Sequence, residues 1–412
     1  MWLPVSIWTL YGPLGGKYIA WFVIVGLSLG VLQQQRAWAR CRADPAVRLW
    51  LLLLGWLALS MLWSPAPWPR WITHLWMYSL PLGALALAMA CPQQAAQRAL
   101  RHFGWASGGV GLLLLLRGAG WLPDGIGLDD TLNAEGNQRI LISVLLGLGA
   151  AICLWQLAGS STGKGRMLWL ATAVPAIAGL ATQDRRTGML LLPLLLLAWA
   201  IAAPRHWAWK AATVAAVLAL AVGLFSSSAG VQARFAEGAA ELRQYESNDL
   251  AATSWGQRLR MLERSRDMVS ESPWVGHGLG SWKVLWDARV PAATPLAANS
   301  TPHNEYLLLA VQGGLPAALL FLAWLCLQCW RALRAGHLGM PALMVWLTLA
   351  LGGLANAVLR DVKFALPLLV LAGVAAALAR PAGATFGGPG PDRLQPAPDP
   401  TASTMRSGDL RD

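Results

Sequence analysis

The chain has 412 residues, of which 56% are hydrophobic and only 13% charged. Soluble domains carry about 25% charged residues, so a soluble enzyme or binding module is excluded. The formal net charge of +12 would suit nucleic acid, but the basic residues sit in short connectors, which marks topology and not a polyanion groove.

Apolar runs recur near 2–14, 18–33, 49–63, 71–90, 103–121, 140–159, 167–183, 189–203, 211–230, 306–330, 341–359 and 364–379. Most are long enough, or nearly so, for a bilayer core of about 30 Å. Backbone polar groups in lipid must be satisfied within the segment, so these runs are read as helices. The expected fold is all-α: a polytopic integral membrane protein of about twelve transmembrane helices, or about eleven if 2–14 does not span.

Basic connectors carry Arg36, Arg40, Arg42 and Arg48; Arg98 and Arg101; Lys164 and Arg166; Arg205 and Lys210; Arg331 and Arg334. They alternate with acidic or mixed connectors such as 122–139, with Asp124, Asp129, Asp130 and Glu135. The positive-inside rule assigns the basic set to the cytoplasm. If 2–14 spans, both termini are cytoplasmic; otherwise the N-terminus is external. Trp50, Trp63, Trp68 and Trp71 fall near span ends, as interfacial anchors do.

Cys41 and Cys91 fall in cytoplasmic connectors, and Cys153, Cys326 and Cys329 within helices. No disulfide framework is expected, and the CxxC spacing at 326–329 reads as packing. No basic n-region opens the chain, so no cleaved leader is expected. The organisation is therefore 1–230, the N-terminal helices; 231–303, a long external loop; 304–380, the C-terminal helices; and 381–412, a Pro- and Gly-rich cytoplasmic tail expected to be disordered.

Long loops without a role are uncommon, so the polar segment 231–303 is where chemistry is sought. Ser254-Trp255-Gly256-Gln257 has the form of a capping box, starting a helix to about Ser270 that Pro273 ends. Helical spacing groups Leu259, Leu262 and Arg266 on one side, with Arg260, Arg264 and Asp267 on another.

Three features converge on the external side. Arg185 and Arg186 lie in the turn Gln183-Asp184-Arg185-Arg186-Thr187-Gly188. Snorkelling anchors explain arginine at a boundary, but external arginines oppose the topology bias, and guanidinium groups suit phosphate oxygens. Arg258, Arg260, Arg264 and Arg266 form the second feature, either a solvated face paired with Glu263 and Asp267 or a phosphate site. The third is Thr301-Pro302-His303-Asn304-Glu305-Tyr306-Leu307, where a histidine, able to act as base near neutral pH, meets the start of an apolar run. Gly276-His277-Gly278-Leu279-Gly280 reads as a tight turn and not a nucleotide loop, and Asp129-Asp130 alone makes a poor metal site.

This ordered set resembles the O-antigen ligase and polymerase family of bacterial envelope glycosyltransferases. His303-Asn304-Glu305-Tyr306-Leu307 followed by Gly314 is similar to the family's "HNxyL…E-x-G" signature. Pro273-Trp274-Val275-Gly276-His277-Gly278-Leu279-Gly280 is similar to "P-x-x-G-x-G-x-G", Gly256-Gln257-Arg258-Leu259 to "G-x-R-L", and Arg186-Thr187-Gly188 to its "S-R-x" turn. Asn133 to Asn137 resembles an earlier Asn-containing motif. Departures are Gln312 in place of Glu, Arg185 in place of Ser, and Ala317 in place of Gly.

The resemblance implies a GT-C-like bacterial inner-membrane enzyme with a periplasmic active site. It would move a glycan from undecaprenyl diphosphate, with no metal and no cofactor, to a lipid A–core or glycan acceptor. On that reading His303, Arg186 and Arg258 are catalytic, and Arg185, Arg260, Asn304 and Asn137 bind substrate, with Asn304 orienting the His303 ring. Ligase is the expected function; a polymerase, a protein O-oligosaccharyltransferase and a polysaccharide or lipid transporter are the alternatives. Its partners are the lipid-linked donor, the acceptor and membrane lipids, not nucleic acid.

Overall fold

A computed structural model describes residues 14–123, 136–183, 186–203, 206–227 and 254–380, with isolated positions such as 11 and 131. The described residues form helices, short 3-10 turns and loops, with no strand among them. In chain order the helices are α1 (Leu14–Gln34), α2 (Trp38–Ala43), α3 (Pro45–Leu59), α4 (Trp68–Ala90), α5 (Gln93–Gly118), α6 (Gly136–Gly159) and α7 (Gly163–Ala181). They continue as α8 (Arg186–Ala202), α9 (Trp207–Ser227), α10 (Ser254–Glu271), α11 (Ser281–Asp287), α12 (Glu305–Arg334), α13 (Met340–Ala355) and α14 (Val362–Leu378).

Every apolar run from 18 onward became one of these helices, most of them starting three or four residues before the run. Seven are long and apolar enough to cross a membrane, and the apolar cores of α8, α9 and α14 are shorter. The chain is thus a multi-pass, all-helical membrane protein. Of the 2–14 stretch, only Tyr11 and Leu14 are described. Tyr11 is fully buried, with its hydroxyl 2.8 Å from Ser107 Oγ midway along α5. All five cysteines are free. The tail 381–412 and the pair Asp129–Asp130 lie outside the described residues.

Consecutive spans alternate in direction, so the connectors collect at two ends. Arg36, Arg40, Arg42, Lys164, Arg166, Lys210, Arg331 and Arg334 lie at one, where Arg331 Nη1 reaches Asp44 Oδ1 at 2.9 Å. The opposite end receives the N-termini of α4, α6, α8, α12 and α14, and is capped by α10 and α11.

That cap has a small core of its own. Met261, Ser265 and Met268 form the buried stripe of α10, and Trp282 and Trp286 of α11 stack on each other at 5.0 Å between centroids. Trp282 Nε1 donates to Ser265 Oγ at 2.9 Å. The side that carries Leu262 is not the buried one: Leu262 is 46% exposed, because Met261, Ser265 and Met268 follow the 3.6-residue period toward the bundle. Arg258 stands one turn before Met261 at the head of that stripe. Arg260 and Arg264 turn away, 3.8 Å from Glu263 and 3.9 Å from Asp267.

Helix α12 is broken at Gly314 (φ 71°, ψ −178°), two residues before Pro316. The break strips carbonyls of their helical partners, and the glycine segment 276–280 replaces them. His277 N donates to Val311 O and Gly278 N to Gln312 O, both at 2.8 Å, while Trp56 Nε1 reaches Gly313 O at 2.6 Å. Gly276 and Gly278 have φ of 65° and 90°. A Cβ on Gly276 would lie 2.5 Å from Gly314 N. Only glycine permits both that backbone and that approach. The segment expected to be a tight turn is therefore the lock that pins the cap to α12.

Candidate functional site

Where α12 begins, the chain turns sharply. His303 has φ 49°, a left-handed backbone rare outside glycine though less so for His, Asn and Asp. Asn304 then caps the helix: its Oδ1 accepts from Leu307 N at 2.9 Å, and its Nδ2 donates to Leu354 O at 3.2 Å. Asn304 thus serves the backbone and does not orient the imidazole. The ring partner is Asn356, in the turn between α13 and α14, with Oδ1 3.2 Å from His303 Nδ1.

The tautomer follows from this contact. Asn356 Oδ1 also accepts from Ala357 N at 2.9 Å, which fixes the amide orientation. The atom facing His303 is therefore an acceptor, so Nδ1 carries the proton and Nε2 holds a lone pair. Among the described residues, only Nδ1 of the ring is paired. Burial lowers the pKa of His303 from its usual value, and Arg258 lowers it further. The Asn356 hydrogen bond and Asp361 oppose that shift. The ring is therefore a neutral base at neutral pH.

A narrow cleft joins these groups. Its mouth is polar, with Arg258, His303, Asn356 and Thr187. Its walls are apolar: Ile140 and Val144 of α6, Ala355 and Gly352 of α13, Val358, and Phe364 and Leu368 of α14, with Thr348 among them. Thr348 lies seven residues before the end of α13, so the cleft reaches about 10 Å below the mouth at 1.5 Å per residue.

Thr187 reaches the mouth because α8 lies against α6. A Cβ on Gly188 would stand 2.3 Å from Ser143 O, so only glycine fits there. Arg185 lies outside the described residues. Arg186 opens α8, but its side chain is also outside them. Asn137 is exposed in the first turn of α6, one turn before Ile140, and does not line the cleft. Arg258 lines it and is open to solvent; Arg260 does not line it.

Beneath the site lies a second polar layer. Glu305, fully buried, accepts from Tyr78 Oη and from Leu359 N, both at 2.8 Å. It thereby ties the start of α12 to the turn that carries Asn356. Arg360 Nε donates to His74 Nε2 at 2.9 Å, so His74 Nδ1 donates to Gln312 Oε1, also at 2.9 Å. Gln312 Oε1 accepts Gly280 N at 2.6 Å as well, which gives this residue, a departure from the family pattern, a structural place. Burial lowers the pKa of Arg360, opposed by Tyr78 and Glu305.

Sequence reasoning missed Asn356, Arg360, His74, Tyr78 and Glu305. A histidine inside the run 71–90 and an asparagine near the end of the run 341–359 were the signals that existed. His74 lies inside the run 71–90 and Glu305 just before the run 306–330, both in the polar layer beneath the site.

The order of these parts along the chain matches a known family. A family model described as O-antigen ligase matches residues 170–322. Residues 170–322 belong to the O-antigen ligase family. The matched segment runs from α7 through most of α12 and contains Thr187, Arg258, the glycine lock and His303. Asn356 and Arg360 lie beyond it and His74 before it, so the O-antigen ligase segment is completed by helices from both sides. No curated protein matches the chain. Family members are glycosyltransferase-like membrane enzymes acting on lipid-linked glycans.

Proposed function

We propose that the chain is an O-antigen ligase of the bacterial inner membrane, with His303 and Arg258 facing the periplasm. It moves a polysaccharide from undecaprenyl diphosphate to a lipid A–core acceptor, without metal and with inversion at the anomeric carbon. The observation that carries this reading is the cleft: a cationic, base-bearing mouth above apolar walls that enter the membrane. That profile fits an amphiphile with an anionic head and a hydrocarbon tail. The basic connectors at the opposite end support a cytoplasmic assignment for that end.

In the proposed reaction an acceptor hydroxyl oxygen bonds to the anomeric carbon as the carbon–oxygen bond to the diphosphate breaks. His303 Nε2 takes the hydroxyl proton. Arg258 stabilises the charge growing on the leaving diphosphate, with Arg186 as its partner and Arg185 as an outer contact. The fixed guanidinium charge does there what a divalent cation does in other enzymes.

The test is a gel of envelope glycolipids from a strain lacking the gene, with lipid-linked glycans extracted in parallel. Loss of the long lipopolysaccharide ladder, with polymer retained on undecaprenyl diphosphate, is the expected result. A core bearing a single repeat would make the protein a polymerase, and an unchanged ladder would overturn both readings.

A further inference from the structure

Asn356 is 7% exposed, and its Nδ2 is buried without a hydrogen-bond partner among the described residues. The amide cannot be flipped to relieve this, because Oδ1 is held by both Ala357 N and the His303 ring. A buried donor left unmade is costly, and such groups in folded proteins call for a ligand or another explanation. This one belongs to a residue lining the cleft at its polar mouth, between Ala355 and Val358 of the apolar wall. In a prenyl diphosphate entering tail-first, the first polar group above the hydrocarbon is the phosphate. An NH2 group only donates, and Arg258 supplies the positive charge of the same mouth.

We infer that Asn356 Nδ2 donates a hydrogen bond to a phosphate oxygen of a polyprenyl diphosphate held in this cleft. The inference rests on the function proposed above and adds a contact from outside the segment that matches the family. Asn356 then has two tasks on one amide. Its oxygen sets the tautomer of the base, and its nitrogen registers the leaving group beside that base. Glu305, through Leu359 N, holds the turn that allows both.

The experiment measures binding of undecaprenyl diphosphate and of uncharged undecaprenol to the full-length protein in lipid nanodiscs. Asn356→Ala is expected to weaken the diphosphate roughly tenfold to a hundredfold, the range for a hydrogen bond to a charged group. Undecaprenol binding is expected to stay unchanged, and the loss to persist in a His303→Ala background. Asn356→Asp keeps the oxygen facing His303 and Ala357, so it guards against local collapse in the alanine variant; the same selective loss is expected. Equal weakening of both lipids in both variants, or a loss that vanishes without His303, would overturn the direct contact. A wild-type protein that binds the diphosphate no better than undecaprenol would overturn the proposed function as well.

Discussion

His74 and His303 sit at the same end of the bundle, and they are held in opposite ways. His74 is buried, with Arg360 on one ring nitrogen and Gln312 on the other. His303 has one nitrogen fixed by Asn356, the other facing a cleft, and a left-handed backbone beneath. A histidine with both nitrogens satisfied holds helices together. One with a single satisfied nitrogen keeps a lone pair for a reaction. In the proposed reaction, catalytic competence is a matter of what is left unpaired.

The contrast is broken or sharpened first by removing each ring. His303→Ala is expected to cut glycan transfer by about 10²–10⁴-fold, the usual range for a general base, while thermal stability in detergent stays near wild type. His74→Ala is expected to act the other way. It leaves Arg360 and Gln312 short of partners, at about 1–3 kcal/mol for each buried group, and lowers the melting temperature before it lowers the rate. Equal loss of stability in both variants would end the distinction.

The two arginines of α10 offer the same comparison one layer out. Arg258→Ala is expected to lower turnover by about 10²–10³-fold. Arg260→Ala gives up a half-exposed pair with Glu263, worth about 0.5 kcal/mol, so a change of only a few-fold is expected. Assay of both variants on one lipid-linked donor decides it.

The pH profile is subtler. Burial and Arg258 lower the His303 pKa below the ordinary 6.5, so the neutral base survives mild acid. Activity is expected to fall only as pH drops through a midpoint under 6.5. In Arg258→Ala the residual activity should show that limb moved upward, because the lowering charge is gone. In Asn356→Ala it should move downward, because the raising hydrogen bond is gone. Motion in the opposite senses would refute the assignment of His303 as base. The smallest change in stability is expected from His303→Gly. Relief of left-handed strain, about 1–2 kcal/mol, is offset by the unfolded-state entropy of glycine, about 0.5–1 kcal/mol. Stability should change by about 1 kcal/mol or less while activity is lost.

Much of this was legible in the chain. Lipid leaves backbone groups no partner outside the segment, so apolar runs declare their helices directly, and even the bounds of α10 followed from local cues at Ser254 and Pro273. His303 and Arg258 were legible too, through ordered motifs in the one long polar segment. The role of Asn304 was not, because a cap and a ring partner look alike in sequence. Which face of α10 turned inward was also hidden, since Met261 and Met268 outcompeted Leu262 only against the particular surface offered by α12.

The sequence by itself determined an all-helical membrane protein with a histidine and arginines gathered beside one polar loop, because hydrophobic length and helix-start chemistry are local properties. Only the tertiary structure decided that Asn356, fifty-three residues after His303, holds its ring, that Arg258 and not Arg260 reaches the cleft, and that the glycine segment mends the break in α12. Those are pairings between residues far apart in the chain. Their partners are chosen by which hydrogen-bonding groups folding leaves buried and unsatisfied, and no local pattern records that.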